Sequence, residues 1–248
     1  MRRLYDADHA DARGGSHEVS EDISASGPQL TDRSIIANIR REDLGTSMRY
    51  DANHKERTRA RVLAEAAAAI RSKGAERVGV AEVMAGAGLT HGGFYAHFTS
   101  KDDLVAQAVA HMFDAAYARF LSHTEGREPA EALSRYIDAY LATSHRLDRA
   151  HGCPIAALSG DLPNMPELAR ARFIDGTERL VAGIAKLVKK LGAKRAEALA
   201  WSALAEMAGA LALSRTVSDA DRSTQILRNS RAMVRSRLGL DRPTSRGV

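Results

Sequence analysis

The sequence contains one cysteine, few aromatic residues and no long apolar run. Because Cys153 is the only cysteine among 248 residues, an internal disulfide is excluded and a reducing cytosol is the expected compartment. No apolar run approaches the ~18 residues that a membrane-spanning helix needs. No basic segment followed by an apolar one opens the chain, as it would in a secretory signal. These absences favour a cytoplasmic protein that does not cross a membrane.

The charge and composition are those of a folded, mildly basic protein. Hydrophobic residues make up 44% of the chain, which is enough for a substantial core, and the net charge is +5. A basic protein suits a nucleic-acid partner, but an excess of five charges does not identify one.

Residues 1–47 differ from the remainder of the chain. They contain scattered charges, glycine and serine without apolar periodicity, which is typical of a disordered extension. Acidic residues outnumber arginine here, so the segment is not predicted to be a basic arm that seeks DNA. Met48 opens a stretch that looks like a protein start. Translation from Met48 is therefore one interpretation, and a poorly ordered tail is the other.

From His54 onward the pattern is helix after helix, with glycine and proline at the ends and no strand pattern. Thr90 is predicted to be an N-cap, Ser100 and Asp103 form a second cap, and Ser218 with Asp221 a third. The predicted helical segments are residues 54–74, 80–88, 90–98, 100–123, 129–148, 153–162, 166–191, 193–214 and 218–237.

The second and third predicted helices are short and are joined by the residues GAGL, which is the spacing of a helix-turn-helix. At about 100° per residue, Phe94 and Phe98 share one face of the third helix and should point to the core. Gly92, Gly93 and Ala96 occupy the opposite face. Such small side chains would let the helix backbone approach the floor of a DNA groove.

The residues beside this small face are suited to bind phosphate. Tyr95 and His97 lie on its two flanks, and Lys101 begins the next helix, where free backbone amides also favour anions. The alternative is that the glycines are ordinary turn residues and the rings are only core. A nucleotide-binding glycine loop is disfavoured, because His91 occupies the position of its last glycine and no strand precedes it.

Residues 55–105 resemble the DNA-binding domain of the TetR family of bacterial repressors. The most specific part is the pattern Gly92-x-x-Tyr95-x-x-Phe98, followed by Ser100, Lys101 and Leu104. The resemblance implies an all-α fold with an N-terminal three-helix helix-turn-helix domain and a C-terminal helical domain for ligand binding and dimerisation. The predicted division is a disordered extension at 1–47, the DNA-binding domain at 48–100, the helical effector-binding and dimerisation domain at 101–238, and a frayed tail at 239–248.

The resemblance also implies which residues contact DNA. In this family the position of Gly93 commonly carries a side chain. Fewer side chains are therefore expected to contact the bases here, and DNA shape is expected to contribute to specificity. The implied contacts are Thr58 and Arg59 on the first helix, Thr90, His91, Gly92 and Gly93 at the groove, and Tyr95, His97 and Lys101 at phosphates.

The C-terminal half is expected to dimerise and to hold an effector. The alanine-rich segment 193–214 and the helix after it predict a four-helix interface between two subunits, with ordinary intramolecular core as the alternative. Several side chains could line an effector pocket, although each such residue is more often plain core. The candidates are Met112, Phe113, Tyr117, Tyr140, Cys153, Phe173 and Trp201.

Cys153 allows two readings. It is predicted to lie at the start of a short helix near His151, where a thiol can become reactive towards oxidants or electrophiles. Some members of the TetR family that sense such compounds carry a Gly-Cys step in a similar place. The alternative is a small buried apolar residue.

The combined prediction is a cytoplasmic homodimer that represses transcription at a palindromic DNA operator and is released by a small-molecule effector of unknown identity. No catalytic set appears, and the histidine pairs lack the spacing of a helical zinc site, so neither a cofactor nor a metal is expected. An all-α enzyme and a non-specific DNA-binding protein are the alternatives.

Overall fold

A computed structural model describes the backbone of residues 33–241 and the side chains of residues 53–241. The chain divides into two compact units, Met1–Arg49 and Tyr50–Val248. In the first unit the described backbone, residues 33–49, is helical, whereas disorder is predicted there from the sequence. The rest of the predicted extension (residues 1–32) and most of the predicted frayed tail (residues 242–248) lie outside the described residues.

The described part of the chain contains helices and no strand, so the all-α prediction is confirmed. A 3₁₀ helix at His91–Ala96 lies between the second and third α-helices, and a shorter one occupies Leu162–Asn164. The α-helices are α1 (Arg33–Lys73), α2 (Val80–Gly86), α3 (Lys101–Thr124), α4 (Pro129–Tyr140), α5 (Thr143–Leu147), α6 (Pro154–Leu158), α7 (Glu167–Lys190), α8 (Ala196–Thr216) and α9 (Ala220–Arg237).

The single helix predicted at 129–148 is in fact two helices, α4 and α5. The Nδ1 atom of His145 lies 2.7 Å from the carbonyl oxygen of Tyr140, so a side chain satisfies a backbone group at the end of α4. Neither glycine nor proline marks this break, and for that reason the sequence pattern does not reveal it.

Two predicted caps differ from those in the structure. The Ser100 hydroxyl accepts a hydrogen bond from the Asp103 amide at 3.0 Å, as predicted. The cap of α9, however, is Asp219, whose carboxylate accepts from the Arg222 amide. Thr90 occupies the N-cap position of the 3₁₀ helix, but its side chain makes no capping bond.

Helices α3 and α7 pack closely because two glycines receive two phenylalanine rings. Gly176 and Gly183 are seven residues apart on α7, and Phe113 and Phe120 have the same spacing on α3. A Cβ atom at Gly176 would overlap the Phe113 ring, and one at Gly183 would lie 2.7 Å from the Cε1 atom of Phe120. This seam forms the centre of the C-terminal helical region.

Helix α8 is long and apolar enough to cross a membrane by length and composition alone, which differs from the expectation that no such run exists. The run was missed because it is built largely of alanine and interrupted by polar residues. Ala203, Leu204, Met207 and Leu211 on α8 are buried in the protein core, and α8 packs between α7 and α9. These contacts are those of a core helix, which passes the same compositional test.

Candidate nucleic-acid interface

The 3₁₀ helix His91–Ala96 is held by two buried phenylalanines. Phe94 and Phe98 are both buried, and their ring centroids lie 5.6 Å apart in a stacked arrangement. The predicted core face is therefore confirmed. The element is a 3₁₀ rather than an α-helix, which fits its short length and its two adjacent glycines.

The opposite face of this helix is exposed and has space for side chains that the sequence does not provide. A Cβ atom at Gly92 would meet nothing within 4 Å, and the Gly92 backbone does not adopt a left-handed conformation. A Cβ at Gly93 would make only an ordinary contact, 3.7 Å from the Cε atom of Met84. Neither packing nor backbone conformation therefore requires glycine at these positions. What glycine provides is a surface that another molecule can approach closely.

Several of the predicted DNA-contacting residues surround this face and point to solvent. Tyr95 is 73% exposed and its ring packs edge-on against Phe94, at a centroid distance of 5.2 Å. Lys101 is exposed and its ammonium group donates to the carbonyl oxygen of Glu76 at 3.1 Å. Thr90 and His91 are exposed as well. The hydroxyl groups, the imidazole and the ammonium group are thus available to phosphate or base edges.

His97 is more enclosed than the sequence suggests. Its Nδ1 atom is buried and has no hydrogen-bond partner among the described residues. Burial lowers the pKa of His97, and the positive charges of Lys55 and Arg59 lower it further. The ring is therefore neutral at pH 7 and would contact phosphate by hydrogen bonding rather than as a cation.

The two residues predicted to contact DNA from α1 are placed differently from the prediction. Thr58 is only 5% exposed, because it lies on the buried stripe that continues through Val62 and Ala66. Arg59 hydrogen-bonds to the side chain of Gln107, and its guanidinium carbon lies 5.4 Å from the centre of the Phe98 ring. The Thr58 side chain therefore belongs to the core and Arg59 joins α1 to α3, and a DNA contact by either residue stays a prediction.

The start of α3 is fixed by a reciprocal set of hydrogen bonds. The Asp103 carboxylate accepts from the Thr99 amide at 2.9 Å and from the Gln107 side chain at 2.6 Å. Burial alone would raise the pKa of Asp103, but these hydrogen bonds outweigh it and lower the pKa. The ionised cap holds the backbone from which Lys101 projects.

Two family profiles match this chain on either side of residue 110. The profile described as "Bacterial regulatory proteins, tetR family" matches residues 62–108. The profile described as "Transcriptional regulator LmrA/YxaF-like, C-terminal domain" matches residues 129–232. The chain belongs to the TetR family. It is accordingly a DNA-binding transcriptional regulator, and the region around His91–Ala96 is its helix-turn-helix.

Solved structures of the same fold include several TetR-family regulators. The reduced form of E. coli NemR is 20% identical, with a TM-score of 0.64, and the match covers 72% of this chain and 96% of that one. A TetR regulator from Chloroflexus aurantiacus J-10-FL is 24% identical, with a TM-score of 0.65 and coverages of 75% and 96%. A regulator from Rhodococcus sp. Rha1 is 26% identical, with a TM-score of 0.57 and coverages of 72% and 96%. A search of curated proteins gave no significant match.

The C-terminal region of this TetR-family protein contains a cavity of about 450 Å³. Of the seven predicted pocket residues, Tyr140 and Cys153 line it. The polar residues of its wall include Arg119, His123, Tyr136, Asp148 and His151.

The other five predicted pocket residues do not line this cavity. Met112, Phe113 and Phe173 are fully enclosed in the core, since Phe113 fills the seam between α3 and α7. Tyr117 is covered by Arg179, whose guanidinium carbon lies 4.6 Å from its ring centre. Trp201 is 42% exposed and borders a separate groove between α7 and α8. Aromatic size alone does not distinguish pocket from core.

A closed set of hydrogen bonds joins α4 to the segment 148–153, here called the 148–153 loop. The Tyr140 hydroxyl donates to the Cys153 sulfur at 2.8 Å, and the Cys153 amide donates to the Nε2 atom of His145 at 3.0 Å. Because Nε2 accepts, the proton of His145 is on Nδ1, which donates to the Tyr140 carbonyl. Burial lowers the pKa of His145, in agreement with this neutral form.

The close surroundings of residue 152 explain why a glycine precedes Cys153. A Cβ atom at Gly152 would lie 2.7 Å from a guanidinium nitrogen of Arg215 and 2.8 Å from the carbonyl oxygen of Asp148. The glycine lets the 148–153 loop pass close to both groups. The Nδ1 atom of His151 lies 2.9 Å from an Asp148 carboxylate oxygen, and the hydrogen bond of the Cys153 sulfur comes from Tyr140. Thiol reactivity at Cys153 stays a prediction.

The same loop also contacts the DNA-binding region. Arg71, near the end of α1, is only 7% exposed and donates to the carbonyl oxygen of Ala150 at 2.9 Å. Residues of the loop therefore border the cavity on one side and bond to a helix of the DNA-binding region on the other.

Proposed function

We propose that this TetR-family protein is a cytoplasmic repressor that binds a palindromic operator as a homodimer and releases it when a small molecule occupies the C-terminal cavity. The observation that carries this proposal is the 148–153 loop. It supplies Asp148, His151 and Cys153 to the cavity wall and a backbone acceptor to Arg71 on α1.

The dimer in this proposal forms through α8 and α9. Large apolar side chains are exposed on both helices, among them Trp201 and Leu213 on α8 and Met233 on α9. Exposed apolar residues on two neighbouring helices are typical of a surface that pairs with a second copy. A dimer would present two His91–Ala96 helices to half-sites about 34 Å apart.

Release would follow from a change in the population of two conformations. A ligand in the cavity must contact the 148–153 loop, and a shift of that loop is transmitted to α1 through the Arg71 hydrogen bond. The ligand favours whichever conformation it binds better, and a conformation with altered half-site spacing no longer fits the operator.

The proposal is tested by fluorescence anisotropy on DNA from upstream of the gene that encodes this protein, at a series of salt concentrations. Analytical ultracentrifugation of the complex gives the number of protomers bound. We expect two protomers per palindromic site, affinity well above that for scrambled DNA, and release by a cavity ligand. Equal affinity for all sequences would instead support a non-specific DNA-binding protein. A complex with one protomer would contradict the dimer.

Lys101→Ala should weaken binding to every DNA sequence and lower the salt slope by about one, because a single phosphate contact is removed. The matched variant is His91→Ala, whose side chain is exposed at the groove-facing end of the same element and should alter sequence preference instead. The measurement is the dissociation constant on operator and scrambled DNA at several salt concentrations. If both variants weakened binding equally on operator and scrambled DNA, His91 would not be a residue that recognises bases.

A further inference from the structure

One arginine, Arg119, lines the cavity, and two more, Arg71 and Arg215, lie beside residues of its wall; none of the three forms an ion pair with a carboxylate of the described residues. Arg119 lines the cavity, and no described residue forms a hydrogen bond or an ion pair with its side chain. Arg71 donates to the carbonyl oxygen of Ala150, and Arg215 donates to those of Arg146 and His145. Their hydrogen-bonding capacity is thus partly used, but within the described part of the chain their charge is not neutralised by an ion pair.

One acidic residue offsets these charges only in part, because the Asp148 carboxylate interacts favourably with Arg71, Arg119 and Arg215 but is one negative charge against three positive ones. Asp148 is the one carboxylate among the described residues that line the cavity, and it is already bonded to His151 at 2.9 Å. The positive charges also affect one another. Burial lowers the pKa of Arg71 to about 10, and repulsion from Arg119 contributes in the same direction. The cavity wall and the two arginines beside it therefore carry an excess of positive charge.

The remainder of the wall is suited to a flat ring. The Tyr136 and Tyr140 rings meet edge-to-face with centroids 5.8 Å apart, and Ala116 and Ala139 leave space beside them. The Tyr136 hydroxyl makes no hydrogen bond to a described residue and is therefore free to bond to a ligand. A volume of about 450 Å³ lies in the range of cavities that enclose drug-sized molecules.

We propose that the effector is an aromatic carboxylate, with its anionic group on the Arg119 guanidinium and its ring against Tyr136 and Tyr140. A guanidinium is planar and matches the two oxygens of a carboxylate, which makes arginine the preferred partner for this group. The two tyrosines lie in a row of edge-to-face rings between Phe120 and His145, and a flat aromatic ligand would pack against the side of this row that faces the cavity. This proposal rests on the proposed function, since it names the ligand class of the same cavity.

The test compares acids with their uncharged amides. Benzoate, naphthoate and biphenylcarboxylate are each paired with the corresponding amide, and binding to the full-length protein is measured by titration calorimetry. We expect at least one acid to bind about tenfold to a hundredfold more tightly than its amide, which is the effect of a hydrogen bond to a charged group. In Arg119→Met this preference should disappear. Arg119→Lys should retain part of it, because the charge remains but the planar fork is lost.

Arg135→Met is the matched control. Arg135 is exposed on α4, is paired with Glu131 and does not line the cavity, so its loss should leave the acid-to-amide ratio unchanged. A second readout is the melting temperature without ligand. Arg119→Met should melt at about the same temperature as the wild type, because it removes both the repulsion of Arg71 and the attraction to Asp148. An arginine with only a structural role would lower the melting temperature when replaced.

The outcomes separate this proposal from the one on which it rests. Equal or tighter binding of the amides would show that the effector is not recognised as an anion. The proposal of a ligand-responsive regulator would still stand. Failure of every acid to bind overturns the aromatic carboxylate as well, as does a preference that survives in Arg119→Met. The operator-binding assay decides independently whether the protein is a sequence-specific regulator.

Discussion

Replacing Gly92 with alanine should weaken operator binding by about tenfold to a hundredfold, the equivalent of roughly 1–3 kcal/mol, while leaving the folded state intact. In the free protein the added methyl group meets nothing within 4 Å, and the Gly92 backbone conformation is open to any residue. Alanine should even stabilise the fold by about 0.4–1 kcal/mol, since it restricts the unfolded chain. The cost arises only where DNA approaches this face.

The measurement pairs fluorescence anisotropy on the operator with denaturant unfolding. Gly160→Ala is the control, because Gly160 lies between α6 and α7, is exposed, and would also place its methyl group in open space. A third variant, Gly88→Ala, should lower the stability of the folded state, whereas Gly92→Ala should not. Gly88 has a φ of 71°, so alanine there should cost about 1–2 kcal/mol of stability. Wild-type affinity in Gly92→Ala would refute the close-approach role.

Replacing Gly176 with alanine should destabilise the protein by about 2 kcal/mol or more, although alanine is the better helix former. The added Cβ would overlap the Phe113 ring and lie 2.5 Å from its Cδ1 atom. The ring cannot turn away freely, because Phe173 packs edge-on against it at a centroid distance of 5.3 Å. Helices α3 and α7 must therefore separate, and contacts along the seam are lost.

Thermal unfolding checks this expectation, with a fall in melting temperature of about 4–8 °C for a protein of this size. Gly160→Ala serves again as the control for an added methyl group. In the double variant Gly176→Ala with Phe113→Leu, the smaller side chain should relieve part of the overlap, so the two changes should cost less together than their sum. Strict additivity, or an unchanged melting temperature in Gly176→Ala, would contradict the packing argument.

The helix-turn-helix was predictable because its signals are local. Phe94 and Phe98 are four residues apart, as a helix facing a core requires, and Gly92 with Tyr95 fits a pattern shared across the TetR family. The burial of Thr58 was not predictable in the same way. Thr58 falls on the buried stripe of α1, which local spacing near the helix-turn-helix does not reveal. Side-chain exposure depends on neighbours that lie far away in the sequence.

The C-terminal cavity was much less predictable. Large side chains are the natural candidates in the sequence, yet Phe113 and Phe173 fill the core. The cavity wall instead combines charged groups such as Arg119 with Asp148 and His151 from the 148–153 loop. Nothing in the spacing of these residues indicates that they meet. The one available signal is the unusual Gly152-Cys153 step, and Cys153 does line the cavity.

The sequence by itself determined the helical class, the family and the position of the helix-turn-helix, because each depends on periodicity and spacing within a few turns of helix. Only the tertiary structure decided where the cavity lies and which arginines lack a carboxylate partner. It also decided that Arg71 joins α1 to the 148–153 loop. The physical reason is that packing and charge compensation are properties of groups brought together from distant parts of the chain. Arg71 and Ala150 are separated by 79 residues, yet they share a hydrogen bond of 2.9 Å.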